Sequence, residues 1–344
     1  MARGRRLSGR GRLRRVHCAV PAPDLNALPL PDLYAHFHAT GLITRLIDLA
    51  RDEDLGLSTP RAHPGEAASP QSLGDITTAA CIDPHLTARA NIVARAPGVI
   101  AGLAALPDLL RTLAPACSAT PHVADGARVH ANTTLCEVSG PLDEMLEFER
   151  TTLNLLSRLS GIATRTAQFV AALPTASRAR LYDTRKTTPG LRVLEKYAVR
   201  CGGGCCHRIG LYDAVLIKDN HLAGVPRNKL ASAIRAAAVR ARAITQHPLQ
   251  FIEVEVDSLD QFAELLTLPP GTIDIVLLDN MGPSQLRDAA AMREAKHPAL
   301  QLEASGGITL ATLPEIATTG VDRISTGSIT HSAVALDLAM DVVA

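Results

Sequence analysis

From Leu181 onward the chain alternates short apolar runs with longer amphipathic ones. Arg180–Tyr182, Ala214–Ile217, Phe251–Val254, Ile273–Leu278, Leu300–Ala304 and Arg323–Ser325 read as strands. Residues 190–200, 227–244, 258–267, 283–295, 310–318 and 331–340 read as helices. Strand followed by helix, repeated, predicts parallel strands with crossover helices, hence a barrel or a doubly wound sheet. Upstream the pattern is mixed. Asp32 to Leu55 has helical spacing, interrupted at Gly41. Thr87–Ala96 and Arg128–Val138 read as strands, the second announced by Asp125-Gly126. Pro141 to Leu173 reads as a long helix, broken near Gly161. Residues 57–72, polar and holding Pro60, Pro64 and Pro70, read as a surface loop. The segment before the regular repeat is therefore a separate α+β domain.

Composition narrows the classes. With 344 residues, 47% of them hydrophobic, the chain can bury a large core. Its net charge of +1 hides seven arginines in the first fifteen residues, without which the remainder stands at −6. A mildly acidic body with 3% aromatics and no tryptophan argues against nucleic acid as a partner. No apolar run has the length of a membrane span. Seven cysteines, an odd number without disulfide-like spacing, fit a reducing cytoplasm. The Arg-rich head has three readings, as transit peptide, nucleic-acid arm or disordered tail. The lack of an apolar face and the run into Pro21, Pro23, Pro29 and Pro31 favour the tail.

The candidate chemistry collects where the strands end, the face on which parallel barrels build active sites. Asp183-Thr184-Arg185-Lys186 follows the first strand and Lys218-Asp219-Asn220-His221 the second. Glu253 and Glu255 end the third, and Asp279-Asn280 the fourth. Ser305-Gly306-Gly307 and Thr326-Gly327-Ser328 follow the last two. Arg185, Lys186, Arg208 and Lys218 form a cation set suited to carboxylates and phosphates. The two glycine turns offer backbone N–H groups, and the helix N-termini after them a positive end, to a phosphate. A single such turn is most often only a turn; an adjacent pair favours phosphate. Glu255 and Asp279 can hold Mg2+ or ribose hydroxyls, or can pair with Lys186 or Lys218. The CxxxCCH run from Cys201 to His207 is not a usual zinc pattern, and His207 reads instead as a donor to substrate.

The motifs carry a resemblance. Glu149-Arg150-Thr151 with LNLLSRLSGIAT, YDTRKTTPGLR, the GGG…HR…LIKDNH run, EVEV around Glu255, LLDN, EASGGIT and STGS.TH occur in order from about Leu42 onward. Together they resemble quinolinate phosphoribosyltransferase. Cys206, where asparagine is common, and extra residues around Thr267–Gly271 depart from the pattern. The resemblance implies an N-terminal α/β sandwich, then an open (β/α) barrel of the type II phosphoribosyltransferase kind. The implied division is 1–31 as a disordered extension, 32–150 as sandwich, 151–330 as barrel and 331–344 as a C-terminal helix returning to the sandwich. The implied reaction joins quinolinate to phosphoribosyl pyrophosphate, giving nicotinate mononucleotide, pyrophosphate and CO2 with Mg2+ as cofactor. Arg150, Arg185, His207, Arg208 and Lys218 are then expected to bind quinolinate, with Thr184 also among the substrate-binding residues. Lys186, Glu255, Asp279, Mg2+ (held directly or through water) and the turns Ser305-Gly306-Gly307 and Thr326-Gly327-Ser328 are expected at the phosphoribosyl group. Lys186, Glu255 and Asp279 are the catalytic candidates. The resemblance also implies a homodimer or higher oligomer, with Arg150 reaching the partner's site. Two alternatives stand beside it: a phosphoribosyltransferase for a monocarboxylate such as nicotinate, and a non-catalytic anion- or metal-binding protein.

Overall fold

The computed structural model describes residues 23–57, 73–245 and 247–343. Two helices, α1 (Leu30–His38) and α2 (Leu42–Leu55), meet at Gly41, as the interrupted spacing predicts. After α3 (Ile76–Cys81) come β1 (Thr87–Ala94), β2 (Gly98–Val99), α4 (Leu106–Leu113), β3 (Ser118–Pro121), β4 (Arg128–Val129) and β5 (Thr133–Pro141). The expected strand Arg128–Val138 is thus two pieces, separated where Asn132 takes a φ of 64°. The helix α5 (Leu142–Ala171) leads to the repeating part. There β6 (Arg180–Tyr182), α6 (Arg192–Cys201), β7 (Val215–Ile217), α7 (Leu230–Ile244), β8 (Ile252–Val256) and α8 (Leu259–Leu265) follow one another. They continue into β9 (Ile275–Asp279), α9 (Pro283–Lys296), β10 (Gln301–Ser305), α10 (Leu313–Ala317), β11 (Arg323–Ser325), α11 (Ser328–His331) and β12 (Leu338–Val343).

The chain end is a correction. Residues 331–344 were expected to be a helix; 338–343 form a strand that pairs antiparallel with β1. Leu338, Met340 and Val342 face Ala94, Ile92 and Ala90 across the ladder, so alternate residues of the segment put an apolar row on one side with period two. That segment therefore completes the antiparallel sheet β12-β1-β5-β3, whose buried face includes Ala90, Ile92, Cys136 and Val138. A second correction concerns α5, which runs unbroken through Gly161. A Cβ there would sit 2.1 Å from the carbonyl oxygen of Val334, so the glycine serves close packing rather than a helix break. The residues expected as a surface loop lie, from 58 to 72, outside the described residues. The same holds for residues 1–22 of the expected disordered extension. Its remainder is docked: Leu25 is buried, and Asn26 exchanges two hydrogen bonds with the Cys206 backbone, at 2.9 and 2.7 Å.

The second sheet is wholly parallel, in the order β6-β11-β10-β9-β8-β7. This is the cyclic order of a barrel left open between its first two strands. The segment from Cys205 lines that seam. Cys205 bridges β6 in parallel, donating to Leu181 O at 2.8 Å while its own carbonyl accepts from Asp183 N–H at 3.0 Å. Gly202-Gly203-Gly204 precedes it. A Cβ on Gly202 would meet Ala163 O at 2.4 Å, so this glycine lets the segment lie against α5. Aliphatic side chains such as Leu181, Val254, Val276, Leu278, Leu302 and Ile324 form the core between strands and helices. Among the described residues no helix is long and apolar enough to cross a membrane.

Candidate active site

The strand ends, as expected, face one cavity of about 720 Å3. Thr184, Arg185, Lys186, His207, Arg208, Lys218, Glu255, Asp279 and both glycine turns all line it. Parallel register is the reason. Ser305 lies beside Asp279 on one side and Ser325 on the other, so residues at equal depth in each strand reach the same mouth. Arg150 does not line this cavity. It sits on α5, exposed, with Glu149 at 3.8 Å.

The cations differ sharply in their partners. Lys218 pairs with Glu255, one of the pairings the sequence leaves open. Among the described residues Arg185, Lys186 and Arg208 make no ion pair. Arg185 is half-buried, with a buried Nε that has no acceptor. Arg208 is buried, and its guanidinium has one long contact, Nη1 to Ala214 O at 3.5 Å. Burial lowers the pKa of Arg208, and repulsion from Arg185 lowers it further. Cations set close together away from water, without counter-charges, favour an anionic ligand.

The loop that carries Arg185 and Lys186 is tied from behind. Lys186 N–H donates to Thr184 Oγ1 at 3.0 Å, and Thr330 Oγ1 donates to Lys186 O at 2.8 Å. Thr188 donates to Glu195 through its backbone and its hydroxyl, and Arg158 pairs with the same buried carboxylate at 2.8 Å. Lys186 also lies across the Thr326-Gly327-Ser328 turn, since a Cβ on Gly327 would fall 2.7 Å from Lys186 Cδ. In the other turn Gly306 and Gly307 have φ of 88° and 63°, and a Cβ on Gly306 would meet Asn280 Oδ1 at 2.2 Å. The helix dipoles expected behind these turns are weak. Helix α10 starts only at Leu313, well after Gly307, and α11 is four residues long. Backbone N–H groups, not helix ends, are what these turns present.

Beneath the mouth the barrel interior is ionic. Lys196, fully buried, pairs with Asp183 at 2.5 Å, and Asp183 Oδ1 also accepts from His207 N–H at 2.8 Å. Burial raises the pKa of Asp183. His207 Nε2 lies 3.0 Å from Glu253 Oε2 and 3.3 Å from Glu303 Oε1, with its N–H aligned on neither. Arg323 Nε donates to Glu303 Oε2 at 2.7 Å, and the guanidinium lies 3.8 Å from the centre of the Tyr182 ring. Burial works against a charged His207, but Glu303 and Glu253 outweigh it and raise its pKa to about 9. Arg208 N–H, bonded to Nδ1 at 2.8 Å, opposes a second proton there. In this geometry the ring keeps its proton on Nε2. Nδ1 is thus engaged within the chain and Nε2 faces the two glutamates, while the residue itself lines the cavity in which it was expected to donate to substrate.

The sequence reading passed over His331, Glu303 and Arg323. His331 lines the cavity from the end of α11. Its signal is the three-residue spacing from Ser328, one helical turn. For Glu303 and Arg323 the signal is a charge inside an otherwise apolar strand.

The chain can be placed among known proteins. The family model for the N-terminal domain of quinolinate phosphoribosyl transferase matches residues 75–160, and that for the C-terminal domain matches 162–341. The two meet inside α5. A probable nicotinate-nucleotide pyrophosphorylase (carboxylating) of Bacillus subtilis (strain 168) is 40% identical over 269 residues, 78% of this chain and 88% of that one. The nicotinate-nucleotide pyrophosphorylase (carboxylating) of Mycobacterium leprae (strain TN) is 42% identical over 270 residues, 78% and 91% of the two chains. The solved nicotinate-nucleotide pyrophosphorylase of Francisella tularensis superposes with a TM-score of 0.74 at 32% identity, over 93% of this chain and 99% of that one. With both domain models matched in order and the strand-end residues gathered at one barrel mouth, the chain belongs to the quinolinate phosphoribosyltransferase family.

Proposed function

We propose that the protein transfers the phosphoribosyl group of phosphoribosyl pyrophosphate to quinolinate with loss of CO2, giving nicotinate mononucleotide and pyrophosphate for de novo NAD synthesis. The observation that carries the reading is the set of unpaired cations, Arg185, Lys186 and Arg208, facing one cavity with two glycine turns. A dicarboxylate and a phosphorylated sugar together bring the negative charge this set lacks. Arg185 and Arg208 grip the carboxylates of quinolinate, with Lys218 beside them and Thr184 at the edge. Lys186 sits against the Thr326–Ser328 turn, where it meets phosphate oxygens of the second substrate.

Displacement at the anomeric carbon develops positive charge on the ribose. Glu255 and Asp279, at the ends of adjacent strands, stabilise that charge and hold the ribose hydroxyls. Their oxygens would also suit Mg2+, bound directly or through water, once a quinolinate carboxylate draws Lys218 from Glu255. Held by Glu255 and Asp279, such a cation would neutralise charge on the leaving pyrophosphate. When the ring nitrogen has bonded to the ribose it is cationic, and it stabilises the electron pair left on the adjacent ring carbon as the C–C bond to CO2 breaks; that carbon then takes up a proton from solvent. The protein's part in that step is to orient the ring and keep water away.

Arg150 is read as the partner's contribution. It is exposed and outside the cavity of its own chain, and in a two-fold dimer each subunit can offer it to the other. Six free cysteines among the described residues support a reducing compartment, the cytoplasm. The reaction is tested by incubating the protein with quinolinate, phosphoribosyl pyrophosphate and Mg2+ and following nicotinate mononucleotide. Turnover with nicotinate but none with quinolinate overturns the assignment.

A further inference from the structure

Glu303 lines the inner end of the substrate cavity, Arg323 pairs with it from outside the lining, and neither takes part in the steps above. We propose that Glu303, fixed by Arg323, is a positioning residue for Arg208 and so sets the affinity for quinolinate. This rests on the reading of Arg208 as a carboxylate ligand. The connection runs through contacts already described. Arg323 stacks on Tyr182 and donates to Glu303 Oε2 at 2.7 Å. The other oxygen of Glu303 faces His207 Nε2 at 3.3 Å, with Glu253 Oε2 at 3.0 Å completing the cradle. The far side of the same ring, Nδ1, receives Arg208 N–H at 2.8 Å. Asp183 holds His207 N–H at 2.8 Å, so the backbone at 207 and 208 is anchored at two points. The guanidinium of Arg208 has only its 3.5 Å contact with Ala214 O, so its place is set by its backbone and not by its own side-chain partners.

The same three side chains invite a rival reading. Donor atoms of His207, Glu253 and Glu303 lie within 4.8 Å of one another, close enough to surround a metal ion. The histidine tautomer argues against it. An Nδ1 that accepts from Arg208 leaves the proton on Nε2, which then has no lone pair for an ion. Arg323 adds a positive charge beside the same carboxylate. A ring whose Nε2 faces two glutamates and whose Nδ1 accepts from Arg208 is a brace.

The test is steady-state kinetics of the full chain with each substrate varied in turn. Glu303→Gln should raise the KM for quinolinate roughly tenfold and leave that for phosphoribosyl pyrophosphate within about twofold. His207→Asn reads the same link from the other end. The shorter amide still offers an acceptor to Arg208 N–H but does not reach the glutamates, so it should give a similar rise. Added to His207→Asn, Glu303→Gln should change nothing further, because the connection is already cut. Arg208→Lys separates this inference from the reading beneath it. If Arg208→Lys raises the quinolinate KM while Glu303→Gln and His207→Asn do not, positioning is wrong and carboxylate binding stands. Should Arg208→Lys itself leave that KM unchanged, both fail. Equal rises in both substrates' KM, or effects of the two floor variants that multiply, mark Glu303 as merely structural and overturn the proposal. If Glu303→Gln does not fold, His207→Asn alone decides by whether the rise is confined to quinolinate.

Discussion

The mouth of the barrel and its floor are both rich in charge, yet they are built differently. At the mouth Arg185, Lys186 and Arg208 stand without a carboxylate partner among the described residues, around an open cavity. At the floor Lys196 is answered by Asp183 and Arg323 by Glu303, and His207 stands against Glu253 and Glu303. Burial explains the second pattern, because an ion taken out of water without a partner costs several kcal/mol. The first pattern has no such explanation within the chain. Charge left unanswered beside a cavity is held for a ligand. Charge of the same kind a few ångströms deeper fixes the shape of the site, so paired and unpaired ions separate scaffold from chemistry more clearly than residue type does.

Variants at the two levels should fail in different ways. We predict that Lys196→Met, which strands Asp183 at the floor, lowers stability by about 3–5 kcal/mol. Urea unfolding of the purified variant measures this, and a midpoint equal to the wild type's would erase the contrast. At the mouth, Lys186→Ala is expected to cut kcat by about 10²–10³-fold while the melting temperature stays near the wild type's. Arg150→Ala should be similarly inactive. Refolded together, the two inactive proteins should recover activity at roughly a quarter of all sites, because random pairing makes about half the dimers mixed and one site in each of those intact. No recovery on mixing means that Arg150 does not act in trans.

Two smaller effects refine the comparison. Gly161→Ala drives a methyl group into Val334 O without touching a charge, and is expected to cost about 1–3 kcal/mol of stability. An unchanged thermal midpoint would show that the return of the chain end tolerates separation from α5. The last concerns pH. Burial pushes Glu303 upward, but His207 and Arg323 outweigh it and hold its pKa down at about 2. A carboxyl whose folded pKa is depressed lends stability above its unfolded value, near 4.5, and loses it as pH falls toward about 2. Melting temperature should therefore fall less steeply over that window in Glu303→Gln than in the wild type. Parallel slopes would count against the pairing.

Much of this organisation can be read from the residues themselves. The six barrel strands and the residues at their ends follow from apolar runs, punctuation by glycine and charge, and the motifs DTRKT, HR, KDNH and LLDN. These are local signals, and a parallel sheet turns equal depth in each strand into proximity at one rim. The signals misled where a residue's neighbours are distant in sequence. Gly161 reads as a helix break because the carbonyl of Val334, which explains it, is remote in the chain. The chain end fits helical spacing and strand alternation alike, and only the free edge of β1 decided between them.

The sequence by itself determined the family, the parallel repeat and the set of groups available for chemistry, because each is carried by short-range pattern. Tertiary structure alone decided which charges are answered. It placed Lys218 on Glu255 and left Arg185, Lys186 and Arg208 open. It also set Nε2 of His207, at the cavity wall, against two buried glutamates and left Arg150 outside the cavity of its own chain. The physical reason is that pairing depends on distances of a few ångströms between residues far apart in the chain, and burial sets how much each pairing matters.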